Sequence, residues 1–244
     1  MTESYGHQCK MCVDSVAPID TSSIPIIFDS ETLSAAYDIV HENGMTGTRS
    51  ATTERTREGA GVISGQINLS FTPTSMAFFL QYAMGGAPSG TSYTLAETLP
   101  TFLICIDKKA KVITYNGCRI SKMTIKGSKS SPMVKVTLGV VATSVTAEGA
   151  GTFPSLTTPT DPPYMFWDGV LTCQSATRQH SDIEIIIDNA LQPNESNEQV
   201  ASEYNPTDRI ITVNGTPPFN STEIDLFNQA VAGAAGSYVL TNGN

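Results

Sequence analysis

The stretch Gly61-Val62-Ile63-Ser64-Gly65-Gln66-Ile67-Asn68-Leu69-Ser70-Phe71-Thr72-Pro73 decides the fold class. Ile63, Gly65, Ile67, Leu69 and Phe71 share one face and Ser64, Gln66, Asn68 and Ser70 the other, which is the period-two pattern of a half-buried strand. The period then changes. Thr72-Pro73-Thr74-Ser75 offers a helix start, Met76, Phe79, Leu80 and Ala83 recur at helical spacing, and Gly85-Gly86 ends the segment.

Reading outward, the same alternation predicts strands over Phe102–Asp107, Val112–Tyr115, Arg119–Lys126 and Met133–Thr143, with Lys108-Lys109-Ala110 and Asn116-Gly117 as turns. A second short helix is expected over Ser221–Ala232, where Ile224, Phe227 and Val231 form the apolar stripe and Gly233 stops it. The fold class is therefore mostly β (α+β), built from sandwich or barrel modules that each carry one short helix.

A direct repeat organises the chain. Ile26-Ile27-Phe28-Asp29-Ser30-Glu31-Thr32-Leu33 reads like Phe166-Trp167-Asp168-Gly169-Val170-Leu171-Thr172, and Ile39–Met45 reads like Ile185–Leu191, with 146 residues from Asn43 to Asn189. Nearly the same shift carries Ser92-Tyr93-Thr94-Leu95 onto Ser237-Tyr238-Val239-Leu240. The expected organisation is an N-terminal arm (1–22), a first module (23–145), a linker rich in Thr, Pro and Gly (146–162) and a second module (163–244). By this register the second module is incomplete, since the counterpart of 99–145 does not follow Leu240. Either the sequence is cut short, or a neighbouring chain completes an open sheet edge.

Composition excludes several functions. The 244 residues are 40% hydrophobic and 15% charged, enough apolar material for a sizeable core. No run approaches the length of a membrane helix, and the first residues lack the pattern of an export signal. A formal charge of −9 argues against tight wrapping of DNA or RNA, which depends on cations meeting phosphates. Five cysteines, three of them in apolar strand-like runs, suit a reducing compartment.

Material for catalysis is scarce. Only three histidines occur, and His41 and His180 sit beside Glu42 and near Asp182 as ordinary surface residues. Cys9-Lys10-Met11-Cys12 has a metal-like spacing but lacks the second ligand pair of a structural zinc site. No glycine-rich nucleotide loop and no H-E-x-x-H occurs. No enzyme, metal or cofactor is expected.

Charge instead marks surfaces. Lys122, Lys126 and Lys135 lie on the polar sides of their strands, without the aromatic residues that stack bases, so a solvated or subunit-facing role is expected. The polar loop Asn43–Ala60 carries Arg49, Glu54, Arg55, Arg57 and Glu58, and its counterpart Ala190–Asp208 carries Glu195, Glu198 and Glu203. Two long polar loops at equivalent places read as arms reaching to a neighbouring subunit or ring.

The order of pieces resembles the major tail tube proteins of long-tailed bacteriophages: polar loop, Gly61–Pro73, helix, Ser92-Tyr93-Thr94-Leu95, and Pro100-Thr101-Phe102 leading into Tyr115-Asn116-Gly117-Cys118. Ile187-Asp188-Asn189-Ala190-Leu191 in the second half adds to the likeness. The resemblance implies a structural virion protein, made in the host cytoplasm, whose rings stack into a tube through which DNA leaves the capsid. It also implies six tube domains per ring, from three chains if the repeat holds or six if it does not, together with contacts to other tail proteins. A conduit must let phosphate slide without capture, so the face of Lys122, Lys126 and Lys135 is expected to point away from the bore. Rival readings are the tube of a phage-related contractile apparatus and a β-rich surface adhesin or decoration protein.

Overall fold

The computed structural model describes residues 8–42, 55–90, 92–148, 153–173, 176–194, 196–218 and 236–241. Within them the chain is mostly β, all named strand pairings are antiparallel, and one α-helix is present. The fold class expected from the alternation is the one observed.

Two long strands carry the architecture, β5 (Thr56–Ser70) and β7 (Val112–Ser128), if β1 (Lys10–Asp14), β2 (Ile24–Ile26), β3 (Ser30–Glu31), β4 (Ser34–His41) and β6 (Phe102–Asp107) are counted before them in chain order. The beginning of β7 pairs with β6 and with β9 (Ser144–Glu148), and β6 pairs in turn with β1 and β1 with β2. The end of β7 pairs with β8 (Lys135–Ala142) and β12 (Asp182–Asp188). This second layer runs β4-β5-β8-β7-β12 and ends in β15 (Ile210–Gly215), with β3 beside the far end of β5.

Apart from this sheet, β10 (Gly169–Cys173), β11 (Ala176–Arg178) and β16 (Gly236–Leu240) form a small separate one, and β13 (Gln192–Pro193) pairs with β14 (Tyr204–Asn205). The stretch 1–22 contributes β1 to the first layer. The second half of the sequence adds its β12–β15 hairpin to the sheet of the first half, with Ile187 opposite Met123 and Ile185 opposite Ile125.

The alternation of β5 does what its sequence requires. Ile63, Ile67 and Leu69 are buried in the main core with Val136, Leu138 and Val140 of β8, and Met11, Val13, Ile104 and Ile106 enter the same core from the first layer. The helix α1 (Pro73–Met84) starts at Thr72, whose side chain accepts from the Ser75 N–H in a capping box, and stops at Gly85 in the left-handed region. Its Phe78, Phe79 and Tyr82 rings pack on one another and on Phe102 of β6, with centroids 4.5–6.2 Å apart.

Three local expectations change. Asn116-Gly117 is not a hairpin turn: β7 runs straight through it as a bulge, with the register against β6 shifting between Phe102 and Ile104. Gly117 has φ +60, and a Cβ there would lie 2.3 Å from the Thr143 hydroxyl, so the extra residue needs glycine. The polar loop Asn43–Ala60 is shorter than expected, because Thr56 already pairs with His41 and β4–β5 extends into it. Its counterpart Ala190–Asp208 contains the β13–β14 pair. The turn at Lys108-Lys109-Ala110 forms as expected, with the Lys108 N–H donating to the Lys111 carbonyl at 3.0 Å. The second expected helix, Ser221–Ala232, lies outside the described residues.

Candidate functional site

Two surfaces with something left to bind are the ends of the second layer. Among the described strands, β4 pairs only with β5 and β15 only with β12, so each offers an unpaired backbone edge. Both ends are apolar where a free edge is normally charged. Ile39 (64% exposed) and Val40 (57%) stand on β4, and Ile210 (61%) and Val213 (56%) on β15. Neighbouring residues of a strand point to opposite faces, so Ile39 with Val40, and Ile210 with Ile211, expose both sides of each edge. Single exposed apolar residues are ordinary, but two such edges on opposite ends of one sheet are not.

The free face of the second layer is polar. Its three singled-out lysines are each matched to a carboxylate on a neighbouring element: Lys126 Nζ with Glu184 at 2.7 Å, Lys135 Nζ with Asp29 at 2.8 Å and Lys122 Nζ with Asp188 at 3.6 Å. The hydrogen bond from Lys126, followed by one from Asn214, holds the Glu184 carboxyl below the usual carboxylate range. The face that reads as a bare basic stripe in sequence is a lattice of opposite charges.

The loop residues are placed unequally. Arg49, Glu54 and Glu195 lie outside the described residues. Arg55 pairs with Glu42 at 3.5 Å, while Arg57 and Glu58 sit within β5 opposite Val40 and Ile39. Glu203, still half exposed, meets Arg119 of its own chain at 3.3 Å, and Arg119 also donates to the Tyr204 carbonyl. Glu198 stays exposed and accepts from Ser196 at 3.3 Å. The Gly61 N–H donates to the Gln199 carbonyl at 2.7 Å, so this second loop lies against β5 of its own chain.

Two clusters went unread in sequence. Fully buried Asn189 donates to the carbonyls of Ala83 (3.0 Å) and Ile120 (2.9 Å) and accepts from Arg209 Nε (2.9 Å), while Arg209 also donates to the Ala96 carbonyl at 2.7 Å. This network ties the end of α1, the middle of β7 and the strand leading to β15. The signal was a second polar residue, after Asp188, closing the isoleucine-rich stretch Ile183–Ile187. Asp161 accepts the Thr74 N–H at 3.0 Å at the start of α1; burial pushes its carboxyl up, and the hydrogen bonds from Thr74 and Thr72 outweigh that and lower it. No cluster of three or more metal-ligating side chains occurs among the described residues.

A family model described as phage tail tube protein matches residues 21–244. The chain belongs to this family. The family read from the order of sequence pieces is thus the family matched, and the tail tube protein has a structural role in a tube. No curated protein matches it. Among solved structures, the sheath-tube complex of an extracellular contractile injection system in the extended state is 9% identical, covers 61% of this chain and 93% of that one, and superposes with a TM-score of 0.45. The tube terminating cap of an anti-feeding prophage is 12% identical, covers 62% and 93%, and has a TM-score of 0.43. No helix of the described residues is long and apolar enough to cross a membrane.

Proposed function

We propose that this tail tube protein is a virion component, assembled in the host cytoplasm, whose rings close edge to edge and stack into a DNA conduit of a long-tailed phage. The carrying observation is the pair of unpaired apolar edges, β4 and β15, at opposite ends of one sheet. Joining β15 of one chain to β4 of the next is a head-to-tail contact, which repeats until the ring closes and leaves neither of these two edges exposed. The hairpin β12–β15 extends the first half's sheet instead of founding a second one, which favours six chains per ring over three. The charged positions Arg49, Glu54, Arg55 and Glu198 are assigned to contacts between rings, where exposed pairs set register more than strength.

The layer order bears on which face meets DNA. Turning the lysine face away from the bore follows if the lysines are bare, and here each has a carboxylate partner. The first layer and α1 both lie on the core side of the second layer and need the roomier outer radius of a closed cylinder. That ordering supports a reading in which the balanced Lys–carboxylate face lines the bore, where its mean charge would neither capture nor strongly repel phosphate.

The test is electron microscopy of the purified protein beside Ile211→Lys and Val213→Lys. Rings or tubes for the unmodified chain, and folded but unassembled particles for the two variants, are the expected result. Monodisperse monomers from the unmodified chain, or rings unaffected by both variants, would refute edge closure.

A further inference from the structure

The C-x-x-C motif of the N-terminal segment is not used by the tube assignment, and its second cysteine has a partner outside the motif. Cys12 of β1 lies directly opposite Cys105 of β6 in the antiparallel register. Directly opposed residues project to the same face with Cα atoms about 4.5–5.5 Å apart, inside the range of about 4.4–6.8 Å that a disulfide spans. The two thiols share a hydrogen bond. Met11 and Val13 on either side of Cys12 enter the main core, whereas Cys12 and Cys105 form a separate small cluster with Val112 under Ile19, Phe153 and Leu156. Cys9 precedes β1 at the edge of a different cavity, and the Cys118 thiol is committed to the Tyr115 carbonyl in the main core. The pairing is therefore selective.

We infer that Cys12 and Cys105 are an oxidisable dithiol, a covalent modification site at which a small peroxide closes a cross-strand disulfide that fastens the N-terminal strand to β6. Cys105, buried at 2% exposure, is among the residues lining a surface cleft of about 340 Å³ together with Pro18 and Thr114, large enough to bring hydrogen peroxide up to it. The Cys105 thiolate takes one oxygen atom from the peroxide, hydroxide leaves, and a sulfenic acid remains. The Cys12 sulfur then attacks it, the S–S bond forms, and the oxygen departs as water. Two thiols and one peroxide become one disulfide and two waters, with both electrons accepted by the peroxide. The hydrogen bond from Cys105, and then burial, raise the Cys12 thiol above its ordinary range and keep it protonated, so the pair reacts slowly and under sustained oxidant. The site stands whether or not the chain forms tubes.

The test treats the folded full-length chain with hydrogen peroxide, alkylates it under denaturing conditions and measures intact mass and a proteolytic map. The expected product is lighter by two hydrogen atoms before alkylation, has a Cys12–Cys105 cross-linked peptide, returns to the starting mass with dithiothreitol, and melts roughly 5–10 °C higher than the reduced form. Cys9→Ser and Cys118→Ala retain the cross-link; Cys12→Val loses it. Five alkylated cysteines, a cross-link through any other cysteine, or sulfinic acid at Cys105 without a cross-link would overturn the assignment. The map of the unmodified chain decides even where a variant fails to fold.

Discussion

Asn189 shows how much one polar side chain can hold. Its amide, itself at zero exposure, supplies donors to two carbonyls and an acceptor to the part-buried Arg209. Asn189→Ala leaves the two buried carbonyls of Ala83 and Ile120 and the part-buried Arg209 Nε without this partner and is expected to cost about 2–4 kcal/mol, read as a lower urea midpoint at unchanged slope. Glu184 makes a different residue-scale prediction. Its folded-state carboxyl lies below the ordinary value of 4.5, so its contribution is complete above that value and is lost as pH falls through the folded one. The melting-temperature difference between the unmodified chain and Glu184→Gln should therefore be present at neutral pH and vanish well below pH 4.5; a difference that grows in acid would contradict the pairing. Sequence pattern made the lysine face legible because strand side chains alternate. The partners Asp29, Glu184 and Asp188 were not legible, since they reach that face from β12 and from the bend between β2 and β3.

At the scale of elements, legibility followed how strongly local chemistry decided between conformations. β5 and α1 were readable because a two-residue period met a Thr-Pro cap and two glycines, each pointing to the same boundary. β7 was not, because Asn-Gly serves a tight hairpin turn and a bulge equally well and only distant partners choose. Here β8 and β9 lie on either side of Thr143, and the Thr143 N–H donates to the Asn116 carbonyl at 3.0 Å, which locks the bulge. Gly117→Ala must adopt φ +60 with its Cβ against the Thr143 hydroxyl, and should cost about 1–3 kcal/mol. Thr72→Ala, which removes only the cap of α1, should cost about 1 kcal/mol. Chemical denaturation of the two variants checks the order; an equal or reversed ranking would mean that the bulge relaxes.

At the scale of the whole molecule, a layer whose ends are apolar and whose free face is charge-balanced has one chemical property that assembly multiplies. Each chain brings Lys122, Lys126 and Lys135 with their three carboxylates, so a ring whose bore is lined by this face would repeat a neutral lattice along it. Removing the acids while keeping the lysines, in the triple variant Asp29→Asn, Glu184→Gln, Asp188→Asn, leaves three bare cations per chain. If the polar face lines the bore, assembled variant tubes should retain short DNA duplexes that unmodified tubes release. That retention should weaken steeply with salt, because each phosphate contact releases counterions and steepens the dependence by about 0.9 in log–log slope. Filter retention of labelled duplex over a salt series measures this, with tube integrity checked in the same samples. Intact variant tubes that hold no more DNA than unmodified ones would place the lysine face outside the bore, as its sequence alone suggests, and would leave the edge-closed ring in place.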